Sequence, residues 1–324
     1  MAELKNNFCW SFSQAKDFAE CKRRHYWNRY GFWGGWESTA PAEARTAYRL
    51  KQMQNKWSLV GDAVEETIQE QLQRMLVGAQ VSYDAALERA MQTLRNAWRD
   101  HFSERWRSDP KRCTCIRELY YGEIPGEPCP TRDAWADQVK GRTETCLRNF
   151  FTHVLPRMRH VNINQVLPVA RPAQGDPEHF HVGQIKVYAI PDYAYRVQDV
   201  ISIHDWKTGI RREEHQRQLA IYGLWAQRKH EARVENVRLY AEYLESGESQ
   251  SVPFDLTIAG GAYDMIMKSV QEMRQYVVDG DLERNEALPR DAFPKTDDLS
   301  RCRLCNYREL CNRQFVALMD GGYA

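Results

Sequence analysis

The sequence predicts an α/β protein whose sheet is flanked by helices. With 324 residues, 43% of them hydrophobic, the chain is long enough to bury a sizeable core. The first half has apolar residues at helical spacing and little strand-like alternation. From about residue 164 onwards, β-branched and aromatic residues cluster in short segments that turn-forming residues separate. The helical pattern of the first half and the strand-like segments of the second half together indicate a fold that combines helices and strands.

Helices are predicted throughout the first half. Ser13 is a possible N-cap for the first of them, and Ala, Leu, Gln, Glu and Arg dominate the next two. Prolines, glycines and cysteines in residues 108–132 predict an irregular connector. The four helices are expected at about residues 13–30, 57–75, 83–106 and 133–155.

The second half is expected to combine strands with two further helices. Three strands are predicted from NQVLPVA, GQIKVYAIPDYAYR and DVISIHDW, which are residues 164–170, 183–196 and 199–206. A helix at about 211–229 and strands at 233–243 and 250–256 should follow. Apolar residues on one face predict a last helix at about 258–279, which Gly280 would end.

Composition and charge exclude some classes of protein. No run of 18 or more apolar residues occurs, and the first residues lack a basic segment followed by a long apolar one, so we expect neither a membrane span nor secretion. A net charge of +1 means that an anionic partner would have to bind at local patches. Nine cysteines, three of them within CRLCNYRELC, predict metal ligation in a reducing cytoplasm.

The segment IPDYAYRVQDVISIHDWKTG contains the candidate catalytic residues. Side chains two apart on a strand share a face, so Asp205 and Lys207 should project together while Trp206 points away. A hairpin would bring Asp192 alongside them. Paired carboxylates bind a hard divalent cation such as Mg²⁺ or Mn²⁺, which lowers the pKa of bound water and neutralises charge on a phosphate. Lys207 would stabilise the transition-state charge or orient the attacking hydroxide.

On its own, the D-x-K pattern also fits an exposed strand with a salt bridge, and nearby residues favour the catalytic interpretation. Gln218 and Tyr222 lie four apart on the helix predicted after the strand, so they share a face that could line the same cleft. Glu65, on an early helix, could supply a third carboxylate. A solvated helix surface is the alternative for Glu65.

Together these residues resemble the PD-(D/E)XK nucleases, and within them the RecB-like exonucleases that carry an iron–sulfur cluster, such as AddB nuclease domains and the CRISPR spacer-adaptation exonucleases. The signature residues are Pro191, Asp192, Asp205, Trp206 and Lys207. Gln218 and Tyr222 match the Q-x-x-x-Y helix of that family, and Gly61 with Glu65 matches its G-x-x-x-H helix. These relatives usually have histidine at the Glu65 position, whereas other members of the superfamily have glutamate. Whether Glu65 or Glu66 is the ligand therefore stays open.

The resemblance implies a restriction-endonuclease-like core, in which helices flank a mixed central sheet, with a helical insertion and an iron–sulfur clamp that joins the two termini. It implies one nuclease domain over residues 1–324. Its expected parts are an N-terminal helix and cluster segment (1–56), a helical region with Glu65 (57–160), the catalytic sheet and Q-x-x-x-Y helix (161–257) and a C-terminal helix with the cysteine cluster (258–324).

The resemblance also implies roles for the site residues. The cation would be held by Glu65, Asp192, Asp205 and the carbonyl of Trp206. Lys207 would assist the water nucleophile, and Gln218 and Tyr222 would position the substrate or the lysine.

The C-terminal cysteines form a C-x2-C-x5-C pattern, which needs a fourth thiolate to complete a tetrahedral or cubane site. Cys21 lies in a segment that resembles the first-helix cysteine region of the family, with Lys22 where proline is usual. The resemblance implies a [4Fe–4S] cluster on Cys21, Cys302, Cys305 and Cys311, and a structural zinc site is the alternative. Core or surface positions are expected for Cys113, Cys115, Cys129 and Cys146, with a second metal site on these four thiols as the alternative, and Cys9 is also expected at a core or surface position.

Residues 22–36 interleave basic and aromatic side chains, a combination suited to phosphate contacts and to stacking on unpaired bases. A solvated basic face with an aromatic core stripe is the alternative. Two more arginines follow the catalytic strand. The candidate nucleic-acid contacts are Lys22, Arg23, Arg24, Tyr26, Arg211 and Arg212.

We therefore expect a metal-dependent DNA nuclease, an exonuclease acting on single strands or ends, that hydrolyses phosphodiester bonds by metal-activated water. A catalytically silent DNA-binding or scaffold subunit is the main alternative, and an iron–sulfur electron carrier is a third. No G-x-x-x-x-G-K-[ST] loop occurs, so unwinding would need a partner such as a helicase. Relatives serve in recombination, CRISPR adaptation, and phage or mobile-element functions, and the sequence does not distinguish these roles.

Overall fold

The structure is a computed structural model that describes residues 5–122, 132–169 and 176–311. Its first part contains one short strand and eight helices among the described residues. These are β1 (Trp10–Ser11), α1 (Phe12–Glu20), α2 (Lys22–Tyr26), α3 (Ala42–Lys51), α4 (Lys56–Leu76), α5 (Tyr83–Phe102), α6 (Arg117–Tyr120), α7 (Arg132–Asn149) and α8 (Leu155–Met158).

The second part carries the remaining strands and three helices. They are β2 (His179–Val182), β3 (Ile185–Tyr188), β4 (Tyr193–Val197), β5 (Val200–Lys207), α9 (Glu213–His230), β6 (Val237–Tyr243), β7 (Glu248–Val252), α10 (Leu256–Arg274) and α11 (Leu299–Arg303). Two π-helical turns, Trp27–Gly31 and Phe150–Val154, extend helices of the first part.

The longer predicted helices are confirmed within a few residues as α4, α5, α7, α9 and α10. The first predicted helix, at residues 13–30, was only partly right, because the helix is interrupted at Cys21. That residue is extended, with φ −162°, and its side chain accepts a hydrogen bond from the Arg24 amide and so caps α2. Helix α3 was not predicted.

The strands form two mixed sheets. The smaller one has the order β1-β3-β2, with β1 parallel to β3. The larger one has the order β4-β5-β6-β7, in which β5 and β6 run parallel and the other neighbours run antiparallel. Such mixed sheets flanked by helices are consistent with a restriction-endonuclease-like fold.

Two strand predictions were wrong. The segment GQIKVYAIPDYAYR forms β3 and β4, which belong to different sheets. Pro191 lies between them and has no amide hydrogen with which to continue a ladder. The segment NQVLPVA forms no strand in its described part, where Val166 makes only an isolated bridge to Tyr195 and Pro168 follows. Strand β2 was not predicted.

The larger sheet is buried on both faces, which fixes the direction of each side chain on β5. Ile201 and Ile203 pack in the core that includes α9 and α10. Trp206 packs in the opposite core, with α4, α5 and α7. Because side chains alternate along a strand, Asp205 and Lys207 point to the α9 side.

The two ends of the described chain meet in a third core, which contains Trp27, Trp106 and Tyr307. Hydrogen bonds reinforce the contact, because the Asn306 side chain donates to the carbonyl of Met53 at 2.9 Å. Among the described residues, no helix has both the length and the apolarity that crossing a membrane requires.

Candidate active site

The hairpin of β4 and β5 brings Asp192 to the catalytic strand. Asp192 directly precedes β4, whose first residue, Tyr193, is paired with His204. The backbone amide of Trp206 donates a hydrogen bond to Asp192 Oδ2 at 2.6 Å. The carboxylate is therefore held beside Asp205 by the backbone of the neighbouring strand.

A chain of polar contacts joins β5 to α9. Lys207 Nζ forms an ion pair with Asp205 Oδ2 and donates to Gln218 Oε1 at 2.9 Å. Gln218 Nε2 in turn donates to Tyr222 Oη at 2.8 Å. The four-residue spacing of Gln218 and Tyr222 puts both on the helix face towards the strand, as expected.

The electrostatics of this cluster are unusual for a protein interior. Burial, together with the charges of Asp205 and Glu65, raises the pKa of Asp192 well above its ordinary value. Burial alone would lower the pKa of Lys207, but Asp205 and Asp192 outweigh it and the pKa is raised, so the side chain stays an ammonium. The pKa of Tyr222 is also raised, first by burial and then by the same two aspartates, so the phenol stays protonated.

Glu65 rather than Glu66 is turned towards this cluster. Both lie on α4, but Glu66 is exposed, whereas Glu65 is partly buried and its charge acts on Asp192. Gln69, one turn further on, donates to Glu65 Oε1 at 3.2 Å. A cavity of about 480 Å³, lined by Gln69, Tyr193 and apolar side chains, reaches Asp192.

The donor set fits a hard divalent cation. Asp192 interacts electrostatically with the carboxylates of Glu65 and Asp205 and with the ammonium of Lys207, so acidic groups outnumber basic ones among these four side chains. Asp205 is 2% exposed, and its Oδ2 has no hydrogen-bond donor among the described residues apart from its ion pair with Lys207. Over these same ranges, no three His, Cys, Asp or Glu side chains already form a metal cage. Metal binding would therefore require the carboxylates to adjust.

The sequence-based search missed His215, in the first turn of α9. Its Nδ1 lies 3.3 Å from Tyr243 Oη, and burial followed by the charge of Lys207 lowers its pKa to about 4. The imidazole is thus neutral at physiological pH. A histidine three residues before Gln218 on the same helix was the available signal.

A second missed group lies at the end of β5. Arg142 of α7 donates to the carbonyl of Thr208 at 3.3 Å, and its guanidinium lies 4.2 Å from the ring centre of Trp57. Arg142 also forms an ion pair with Glu245 at 2.7 Å. These contacts cross three elements, so no local pattern could have revealed them.

The opposite face of β5 carries a buried ionic network. His204 and Glu242 are 2% and 1% exposed, and His204 Nδ1 lies 2.9 Å from Glu242 Oε1. Arg157 donates to the other oxygen of Glu242 at 2.7 Å. The network ties β5, β6 and the end of α8 together behind the candidate site.

The four cysteines expected to form the clamp line one small cavity of about 20 Å³, together with Arg24 and Lys295. Burial raises the pKa of Cys305 to about 12, with smaller contributions from Cys311 and Cys21. The described cysteines form no disulfide bonds with one another. The cavity is lined by Cys21, Cys302, Cys305 and Cys311.

The other cysteines among the described residues do not line that cavity. Cys113 and Cys115 are buried in the third core, beside Trp106. Cys146 is buried in the core around α4, α5 and α7. Cys129 lies outside the described residues, so the suggested second metal site has no further description.

The basic segment near α2 is largely occupied by intramolecular contacts. Arg23 is 7% exposed, donates to the carbonyl of Phe293 at 2.8 Å and forms an ion pair with Asp291. The remaining contacts are those of Lys22 with the carbonyl of Phe18, Arg24 with Asp17 and Glu20, and Tyr26 with the rings of Trp27 and Phe293.

The other two basic residues predicted to contact nucleic acid, Arg211 and Arg212, differ from these. Arg211 and Arg212 are exposed in the segment between β5 and α9. Arg212 makes a 3.7 Å ion pair with Glu214. Both side chains remain accessible to an anionic ligand.

Comparison with protein families agrees with this geometry. The profile of the PD-(D/E)XK nuclease superfamily matches residues 9–312 of the chain. The chain therefore belongs to the PD-(D/E)XK nuclease superfamily. A comparison with curated proteins gives no match.

Proposed function

We propose that this protein is a metal-dependent deoxyribonuclease that hydrolyses phosphodiester bonds, with Asp192, Asp205 and Lys207 in its active site. Membership of the superfamily supports nuclease activity. The observation that carries the assignment is the contact of Lys207 with both Asp205 and Gln218, beside Asp192 on the hairpin.

The resident cation would be Mg²⁺ or Mn²⁺, held by Glu65, Asp192, Asp205 and the carbonyl of Trp206. When bound, it would activate a water molecule and neutralise charge on the scissile phosphate. The hard oxygen donors and the excess negative charge of the cluster favour these ions over softer metals.

The protein's own side chains act on the substrate around that cation. Lys207 stays protonated, so it acts as a positive charge towards the phosphate and orients the attacking water rather than removing its proton. Gln218 fixes the position of the ammonium, and Tyr222 fixes Gln218. This arrangement pre-organises the site before the substrate arrives.

We propose that the substrate is DNA with single-stranded regions or free ends, cut exonucleolytically. The exposed Arg211 and Arg212 support a phosphate-binding role beside the catalytic strand. Because the sequence lacks an ATP-binding loop, duplex substrates would reach the site through a helicase or through a recombination or CRISPR partner.

We further propose that Cys21, Cys302, Cys305 and Cys311 hold a [4Fe–4S] cluster that clamps the two ends of the chain. Their lining of a common cavity supports a shared ligand. The cavity is small, so a cluster would require the thiols to move apart, whereas zinc would need less room. The raised pKa of Cys305 would fall on metal binding, because the ligand is the thiolate.

The activity is tested with anaerobically purified protein and end-labelled single-stranded, duplex and circular DNA, each with Mg²⁺ or Mn²⁺. We expect cleavage of the linear single strand, little cleavage of the circle, and none by Asp205→Ala. Tight DNA binding without cleavage of any substrate would instead favour the silent scaffold.

A further inference from the structure

Trp57 is an exposed aromatic residue on the helix that carries Glu65. It lies in the first turn of α4, where Asn55 caps the helix by accepting from the amides of Trp57 and Ser58. Its side chain is 39% exposed, and among the described residues it makes no contact with another aromatic ring. Most tryptophans of this chain are buried, so this indole needs a separate explanation.

The indole is connected to the end of the catalytic strand. The Arg142 guanidinium lies 4.2 Å from its ring centre and donates to the carbonyl of Thr208, the residue after Lys207. The 2.7 Å ion pair of Arg142 with Glu245 gives that guanidinium a further partner. Arg142 therefore connects the Trp57 ring to the end of β5.

The same side of α4 leads from Trp57 to the carboxylates. Trp57, Gly61 and Glu65 recur every four residues, so they follow one side of the helix over about 12 Å. A side chain at Gly61 would approach the Thr208 hydroxyl, because its Cβ would lie 3.6 Å from Oγ1. That distance is an ordinary van der Waals contact, so it places this side of α4 next to Thr208, at the end of the catalytic strand.

Positive charge surrounds the exposed ring. Lys56 Nζ lies over the ring, 5.0 Å from its centre, and donates to Gln138 Oε1 at 2.6 Å, while the Arg142 guanidinium lies 4.2 Å from the same centre. Aromatic faces flanked by cations bind unpaired nucleotides, because the base stacks while the phosphates meet the positive charge. A base pair inside a duplex is already stacked on both faces and cannot offer one to the indole.

We propose that Trp57 is a stacking platform for an unpaired base of the DNA strand, a short distance from the scissile phosphate, and that Arg142 orients it. The platform rests on the proposed nuclease function and deepens it, because it makes the site selective for single strands. Trp57 contacts substrate without taking part in the chemistry, whereas Arg142 is a positioning residue.

The test uses linear single-stranded oligonucleotides in which one abasic nucleotide is moved along the strand. In the wild-type protein, one abasic position should lower kcat/KM on the order of tenfold, through KM. On intact DNA, Trp57→Ala should lower kcat/KM by the same factor as the abasic nucleotide does in the wild type. The variant should no longer respond to the abasic position, and Trp57→Phe should restore part of that response. Tyr263→Ala, which removes a 37% exposed ring on α10, should leave the profile unchanged.

Binding of the same oligonucleotides to the Asp205→Ala variant, with and without Trp57→Ala, separates this proposal from the nuclease assignment. An abasic effect on binding that needs Trp57 supports the platform even if the wild-type protein does not cleave. An identical abasic profile in folded Trp57→Ala, or no binding of any oligonucleotide, would overturn it. Thermal unfolding of each variant establishes that it is folded.

Discussion

The backbone amide of Trp206 holds the carboxylate of Asp192 at 2.6 Å, so the strand that carries Asp205 also fixes its acidic neighbour. The donor of this hydrogen bond is a backbone amide, and only the acceptor, the Asp192 carboxylate, belongs to a side chain. An asparagine at position 192 would keep a carbonyl oxygen for the amide while removing the charge. The effect of the charge can thus be separated from that of the hydrogen bond.

Asp192→Asn should stabilise the cation-free protein at neutral pH. Because the folded-state pKa of Asp192 is raised, the native state binds more protons than the unfolded state above the ordinary value of 3.8. Stability is therefore lost as pH rises through the raised pKa, and the asparagine variant escapes this loss. We expect its melting temperature in a chelator to exceed that of the wild type by a few degrees at pH 7, with the difference vanishing near pH 3.

Addition of Mg²⁺ or Mn²⁺ should reverse that order, because the ion binds the native carboxylates of the wild type. Melting curves with and without each ion measure both effects. An asparagine variant that melts lower than the wild type in chelator at pH 7, or that gains as much from the ion, would contradict the role given to Asp192.

Gln218→Ala should lower kcat on the order of a hundredfold, because Lys207 loses the carbonyl oxygen that fixes its ammonium at 2.9 Å. Tyr222→Phe removes only the acceptor for Gln218, so a smaller loss is expected. Single-turnover cleavage rates at saturating DNA measure the difference. Equal rates for Gln218→Ala and the wild type would show that the contact does not matter for the reaction.

Glu242→Ala should cost about 2 kcal/mol in the free energy of unfolding, because it leaves the buried His204 ring without its hydrogen-bond partner, while Arg157 keeps Ser249 and the carbonyl of His153 as acceptors. Glu242→Gln keeps one carbonyl acceptor and should cost less. Urea unfolding monitored by fluorescence gives both values. A loss below about 0.5 kcal/mol for the alanine variant, which is the size usual for surface substitutions, would show that the network does not stabilise the fold.

Cys305→Ser should abolish the broad visible absorption expected of the anaerobic protein, together with most of its iron and sulfide. Cys9→Ser is the matched control, because Cys9 does not line the shared cavity. We expect the control to retain about four iron atoms per chain. A colourless wild-type protein with one zinc per chain would replace the cluster by a zinc clamp.

Local patterns were sufficient for the hairpin of the site and for most long helices. The alternation of Asp205, Trp206 and Lys207 predicted which side chains share a face, because a buried strand has a strict two-residue repeat. The four-residue spacing of Gln218 and Tyr222 did the same for α9. Both patterns involve near neighbours in the sequence.

Features that depend on distant partners could not be predicted in this way. Arg23 looked like a surface cation, yet its partners Asp291 and Phe293 lie about 270 residues away. The division of GQIKVYAIPDYAYR between two sheets also depends on which strands pair with each other. Pro191 was a local signal of this division, because proline interrupts a strand. The contact of Arg142 with Trp57 is of the same kind.

The most direct test of the central claim compares wild-type protein with Asp205→Asn on a linear, end-labelled single strand, with Mn²⁺ or Mg²⁺ and with a chelator. The proposed site predicts cleavage that requires the ion and falls at least about a thousandfold in the variant, since a cation ligand is lost while the fold is kept. Cleavage at the same rate by the folded variant, or undiminished cleavage in the chelator, would contradict it.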